Sequence, residues 1–377
     1  MIVDRRTLLL SGAAGLVFAG ARVRLAAAAA PDGGTLYLSA RTTMEGRHGF
    51  AGFTQGGIRF ETVLPGRGHG CAIRRGGTEA VAFARRPGRF MAVIDPGDGR
   101  TIRRIAAADW RHYFGHGVFS PDGGLLYATE SAYDGAGGAA GVIGIYDARN
   151  GYRRIGEHSG FGIGPHEIGL LSDGQTLAVA VGGILTHPDT GRAKLNIPFM
   201  DPSLAYIDRH SGALLERHRP PPAQHRNSIR HLAIAAGDVV VAVLQYQGPQ
   251  GDRPPLVMVH RRGGPARFLS APDPVQARMR NYCGSVAVDP ASRIAAVTSP
   301  RGGIVTFWSL TGRAFAGALD VPDGCGIAPD EAGGGFIVTS GAGRAMAVGA
   351  GGARVADAAL PLAARRWDNH LTVARQG

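Results

Sequence analysis

A repeat that begins and ends in mid-unit leaves this chain few folds to choose from. The segment "HGVFSPDGGLLYATES…GVIGIYDARNGYRRIGEH", residues 116–158, reads strand, turn, strand, loop, strand, turn, strand. Asp122-Gly123 and Asn150-Gly151 are hairpin signals, because the tight turns between antiparallel strands need positive φ. Comparable units start at His69, His166, His231, Cys283 and Cys325, with a period of about forty to sixty-five residues. The chain ends "RRWDNHLTVARQG", a lone first strand from His370. Its body opens "PDGGTLYLSA…GFAGFTQGGIRFETVLP", a unit that lacks a first strand. The two halves complete one another. The expected fold is all-β: a seven-bladed β-propeller of four-stranded blades over residues 31–377, with one blade closed by the N- and C-terminal segments. A two-sheet sandwich leaves the half-units without explanation.

The first thirty residues read differently. Arg5-Arg6 precede an apolar stretch from Leu8 to Ala21, and small residues follow up to Ala30. A charged start, a short apolar core and a small-residue end describe an export signal, and the arginine pair points to the twin-arginine route. The apolar run is short and glycine-rich for a bilayer span. The expectation is cleavage near Ala30, no stable membrane insertion afterwards, and a periplasmic protein.

The formal net charge of +12 comes almost wholly from arginine; Lys194 is the sole lysine. Basic proteins often bind nucleic acid, but an export signal and the lack of aromatic-interleaved basic patches argue against it. An acidic protein partner or an anionic surface fits better. Nucleophile-elbow, zinc-helix, phosphate-loop and haem-attachment motifs are all absent from the sequence.

The repeat places chemistry at one position. The residue before each first strand is, in turn, His370, His69, His116, His166, His231, Cys283 and Cys325. First strands line a propeller's central channel, so seven side chains should ring one mouth of it. Imidazole and thiolate are ligands of soft and borderline transition metals, and mixed ligation favours copper first, then zinc or iron. A second reading stands beside this one: histidines that hold blade turns by hydrogen bonds, as in WD-type propellers. Cys283 and Cys325 begin adjacent blades and could form a disulfide if their Cα atoms lie within about 7 Å; Cys71 reads as a small buried residue. The loops after each second strand should reach the same face and carry Arg41, Arg85, Arg86, Glu130, His187, Lys194 and Arg301, while Arg230 and Glu167 flank ring histidines. This face is the expected ligand or partner surface.

The motifs "GVIGIYD", "GIGPHEI", "GGILTHPDTGR", "MDPSLAYID", "SIRHLA", "QYQG", "NYCGSVAVD" and "TSPRGG" resemble the exported β-propeller family named domain of unknown function 1513. The resemblance implies a bacterial periplasmic setting near imelysin-type iron-associated lipoproteins and a di-haem-type oxidoreductase, and so a part in iron or copper handling. It implies no reaction and no site residues. Nitrous oxide reductase, another seven-bladed propeller, also gathers histidines at its hub, an analogy of fold only. Two functions follow as expectations: a metal or redox centre, copper or iron, at the histidine and cysteine ring; or a non-catalytic scaffold that docks an imelysin-like or haem-protein partner through its basic loop face. A lactonase-type hydrolase would instead need carboxylates and amides at the hub.

Overall fold

The computed structural model describes residues 34–134, 138–331, 333–352, 362 and 365–374. The chain divides into two units, residues 1–31 and residues 32–377. The expected leader lies outside the described residues. No helix among them is long and apolar enough to cross a membrane.

The second unit is a seven-bladed β-propeller of antiparallel sheets. Blade 1 is the stitched one. Its strands Leu36–Thr43, His48–Thr54 and Gly57–Val63 run outward, and its innermost strand comes from the C-terminus in two pieces. Thr372–Ala374 pairs with the start of Leu36–Thr43, Leu38 opposite Thr372 and Leu36 opposite Ala374. Arg365–Trp367 pairs with its end, Arg41 opposite Trp367. The sequence located the seam; the upstream piece, Arg365–Trp367, was not legible there. Blades 2 to 6 follow as residues 68–106, 111–158, 165–218, 227–269 and 285–320, each with four strands. Blade 7 shows three described strands over residues 324–348.

The turns follow the local chemistry. Gly123 and Gly151 both take positive φ, and the Ser120 hydroxyl donates to Asp122 while Gly123 N–H closes on Ser120 O. Between blades the core is apolar and closely packed. Trp308, Phe83, Tyr113 and Phe307 are fully buried, each large side chain contributing about 1.5–3 kcal/mol by leaving water.

Each innermost strand touches its neighbours on both sides. The circle closes where Thr372–Ala374 meets Gly68–Ile73 and Gly324–Pro329. Most of these strands are irregular on the channel side. Pairing slips between Gly68 and Cys71, between Tyr113 and Gly117, between Pro165 and Glu167, between Ile229 and His231, and between Gly324 and Ile327. A bulge adds a residue to one strand and re-aims side chains beside it. The repeated histidines therefore do not precede the first strands, as the sequence suggested. They sit inside them, at or beside the bulges, and His370 lies between the two pieces of the stitched strand.

Candidate metal centre

The bulges turn four imidazoles onto the channel axis, and the break in the stitched strand brings in His370 as the fifth. His69 stands 4.4 Å from His370, 4.9 Å from His116, 5.5 Å from His166 and 6.2 Å from His231, between ring centroids. His166 and His231 are 4.6 Å apart, and His370 lies 4.5 Å from both His116 and His231. Most pairs meet edge to face. Glycine makes this approach possible. Gly115 has φ +108°, and a Cβ there would lie 2.5 Å from the His69 ring; one at Gly70 would lie 2.6 Å from Gly115 O and 2.7 Å from His116 Nδ1. The "GHG" signature is thus a spacing device for packed rings.

Two rings are hydrogen-bonded to acidic side chains. His69 Nδ1 is 3.0 Å from Asp368 Oδ1, and Asp368 is itself gripped by Arg67 at 2.6 Å and Arg85 at 2.9 Å. His231 Nδ1 is 3.0 Å from Glu167 Oε2. Three ring nitrogens of this cluster are buried without any hydrogen-bond partner: His116 Nε2, His166 Nδ1 and His370 Nε2. Burial pulls His69 down to about 4 even against its Asp368 bond. Burial first, then the repulsion that protonating more than one ring would create and the nearby Arg230 or Arg85, holds His116, His166, His231 and His370 well below the ordinary histidine value. The rings are neutral at pH 7, the form in which imidazole binds metal. Burial would raise Asp368, but His69, Arg85 and Arg67 outweigh it and hold the carboxyl well below its usual range. Burial pushes Glu167 up to about 8.

Two sets of donors are close enough to share an ion: His69, His116 and His166; and His116, Glu167, His231 and His370. Within each set the donor atoms lie within 4.8 Å of one another. Tetrahedral nitrogen ligands at ordinary bond lengths sit about 3.4 Å apart, so rotamer adjustment toward a common centre would complete the shell.

The cluster divides two cavities. One, of about 150 Å³, has His69, His166 and His231 in its wall together with Arg85, Arg86, Arg192, Lys194, Arg230 and Arg301. The other, of about 730 Å³, opens on the opposite side; His116 and Glu167 line it with apolar residues such as Ile168, Ile234 and Val286. Burial, then the charges of Arg86 and Arg192, draws Arg230 down to about 9; burial, then Arg192 and Arg85, draws Arg86 to about 10.

A comparison by family decides the lineage: the family described as "Protein of unknown function (DUF1513)" matches residues 62–374. The chain belongs to this family. No curated protein matches the sequence. Among solved structures, the chain is similar to Kuenenia stuttgartiensis hydrazine synthase, with 17% identity, a TM-score of 0.57, and coverage of 78% of this chain and 86% of that one. BamB from Moraxella catarrhalis gives 12% identity, a TM-score of 0.49, and coverage of 84% and 81%. At such identities the hydrazine synthase likeness speaks for the propeller fold alone.

In this DUF1513 protein the two cysteines stay out of the ring. Neither Sγ joins a group of ligand atoms, and all three cysteines are free thiols, so the possible Cys283–Cys325 disulfide is not formed. Cys283 Sγ points to Leu256 O, within the apolar packing of blades 5 and 6, and burial pushes its thiol up to about 12. Cys325 occupies a bulge like that of His69, but its short side chain turns back to Asp323 O at 3.2 Å. An imidazole reaches the axis from there; a thiol does not.

The loop-face expectations divide as well. Arg85, Arg86, Lys194, Arg230 and Arg301 converge on the smaller cavity. Arg41 instead pairs with Glu61 at 2.9 Å. Glu130 is fully buried, accepting from Tyr146 Oη at 2.6 Å and pairing with Arg154 at 3.0 Å, so it ties strands together. His187 packs on Tyr133 and caps a short turn at Asp189. Glu167 belongs to the hub, not to the loop face. Sequence reasoning missed Asp368, whose only signal was its place two residues before His370. It also missed Glu216, His218 and His260, a group on outer strands of blades 4 and 5. There both His260 nitrogens have partners, Tyr206 Oη at 2.6 Å and Gly264 O at 2.9 Å, which makes that group a structural network.

Proposed function

We propose that the protein binds a transition-metal ion at the axial histidine cluster, copper or iron being the natural candidates, and that it serves metal handling in the periplasm. The observation that carries this reading is the set of three buried ring nitrogens without partners. Histidines that merely hold blade turns spend their nitrogens on backbone groups. Here the rings face one another, Asp368 braces His69 from behind as carboxylate partners of metal-bound imidazoles do, and Glu167, beside His231, stands among the donors. With the cysteines out of reach, the argument for copper from thiolate falls away. What remains is imidazole with one carboxylate, a donor set that serves copper, iron, zinc and nickel, with copper bound most tightly among the divalent ions.

The test is elemental analysis of the protein purified after export, followed by titration of the chelator-treated protein with copper, iron and zinc ions. About one ion per chain is expected, lost in His116→Ala/His370→Ala with the circular dichroism spectrum retained. A wild type that stays metal-free under every titration, with histidine variants that lose stability alone, would return the histidines to a structural role and favour the scaffold reading.

A further inference from the structure

The smaller cavity is a second site, built from different side chains. Six cations line it, and none of its described lining residues is Asp or Glu. Arg85 has a carboxylate partner in Asp368. Arg86, Arg192, Lys194, Arg230 and Arg301 have no ion pair among the described residues. Their contacts are neutral: Arg192 reaches Arg86 O, Lys194 reaches Gln247 Oε1, and Arg301 lies over the Tyr282 ring at 4.2 Å. Arg230 and Arg86 are more than nine-tenths buried, and Arg230 Nε and Arg86 Nη1 have no hydrogen-bond partner at all. The histidines in the wall are neutral and offset none of this charge.

A buried guanidinium without a counter-charge is strongly disfavoured, because it has given up water and gained no anion in return. Its planar fork matches the oxygens of phosphate and carboxylate. A cavity of this volume accommodates about the bulk of a benzene ring, hence an anion of a few heavy atoms and not a peptide segment. We propose that this cavity binds a small oxyanion bearing two or more negative charges, of the phosphate or dicarboxylate kind, held by Arg230 and Arg86 at its floor and by Arg192, Lys194 and Arg301 at its mouth. The anion would lie against His69, His166 and His231, within reach of whatever those rings hold.

The proposal does not depend on metal binding, and its test uses the chelator-treated mature chain so that the two stand or fall apart. Calorimetric titration with inorganic phosphate and, separately, with oxalate, at ionic strength fixed by chloride, should show saturable one-to-one binding of at least one of them. Losing a charge-assisted bond should weaken it about ten-fold or more in Arg230→Gln and in Arg301→Gln. Arg104→Gln, on an exposed outer strand of blade 2, should bind as the wild type does. Binding of phosphate alone or oxalate alone supports the site and sorts the two sources. Should Arg230→Gln not fold, Arg301→Gln and Lys194→Gln decide. No saturable binding of either anion, or unchanged affinity in the folded cavity variants, overturns the proposal.

Discussion

Acidifying the metal-free protein from pH 7 to pH 5 should lower its stability by at least about 1 kcal/mol. His69 and His112 are both buried, and burial draws each from the ordinary 6.5 to about 4. Below 6.5 the unfolded chain takes up a proton at each that the folded chain refuses. The stability these residues contribute is therefore complete above 6.5 and lost as pH falls toward 4. At pH 5 the loss is about 2 kcal/mol for each. Glu167 runs the other way: pushed up to about 8, it holds a proton in the folded state that the unfolded carboxyl has released, and acidification gives back about 2.5 kcal/mol. His116, His166, His231 and His370, all held well below 6.5, act in the same direction as His69 and deepen the fall. Urea unfolding followed through the buried Trp308 and Trp367 reads the result as a falling midpoint. His112→Phe, beside Phe114 and Tyr133, should remove one histidine's share of the slope. A midpoint that holds or rises between pH 7 and pH 5 would show that the cluster accepts protons in the folded state, and the neutral-ring description would be wrong.

Three further outcomes test the fold and the site. A chain ending before Arg365 loses the inner strand of blade 1 and leaves Leu36–Thr43 unpaired on one side, each buried group so exposed costing about 1–3 kcal/mol; it should fail to give a cooperative melt, and one that melts like the full chain refutes the seam. Gly115→Ala places a methyl against the His69 ring in a backbone region suited to glycine, so a loss of about 1–3 kcal/mol in thermal unfolding is expected, with metal uptake falling alongside; normal uptake would mean that ring spacing does not matter. The double variant Cys283→Ala/Cys325→Ala should take up metal as the wild type does, and the thiols of the wild type should react with a disulfide reagent only on unfolding, since all are kept protonated by burial.

The architecture was legible because strand–turn periodicity and hairpin glycines are local signals, and because half-units at both ends admit one closure. The convergence of five histidines followed from the same repeat. What escaped the sequence is what depends on side-chain direction at the bulges. A bulge does not announce itself in residue types, nor does side-chain reach: Cys325 shares the bulge position of His69 but its thiol is too short, and Cys283 lies before a regular strand, so both looked equivalent to the histidines but pack elsewhere. Glu130 and Arg41 read as loop residues because nothing local marks a charge as paired; their partners Arg154 and Glu61 lie two strands away in the same sheets. Asp368 acts on His69 across nearly the whole chain length, a relation that only the closed ring creates.

The stitched blade also fixes an order of assembly. His370 lies between the two strand pieces that clasp the first blade to the last, so the five-ring hub has no existence until the final segment of the chain has been synthesised and docked. Six blades can form beforehand, but with one imidazole missing and the channel wall open. Docking of the C-terminal segment shuts the wall and delivers the last donor in one movement. Closure of the circle is consequently a precondition for the complete hub, and an ion held there would bridge the joint that the C-terminal segment makes.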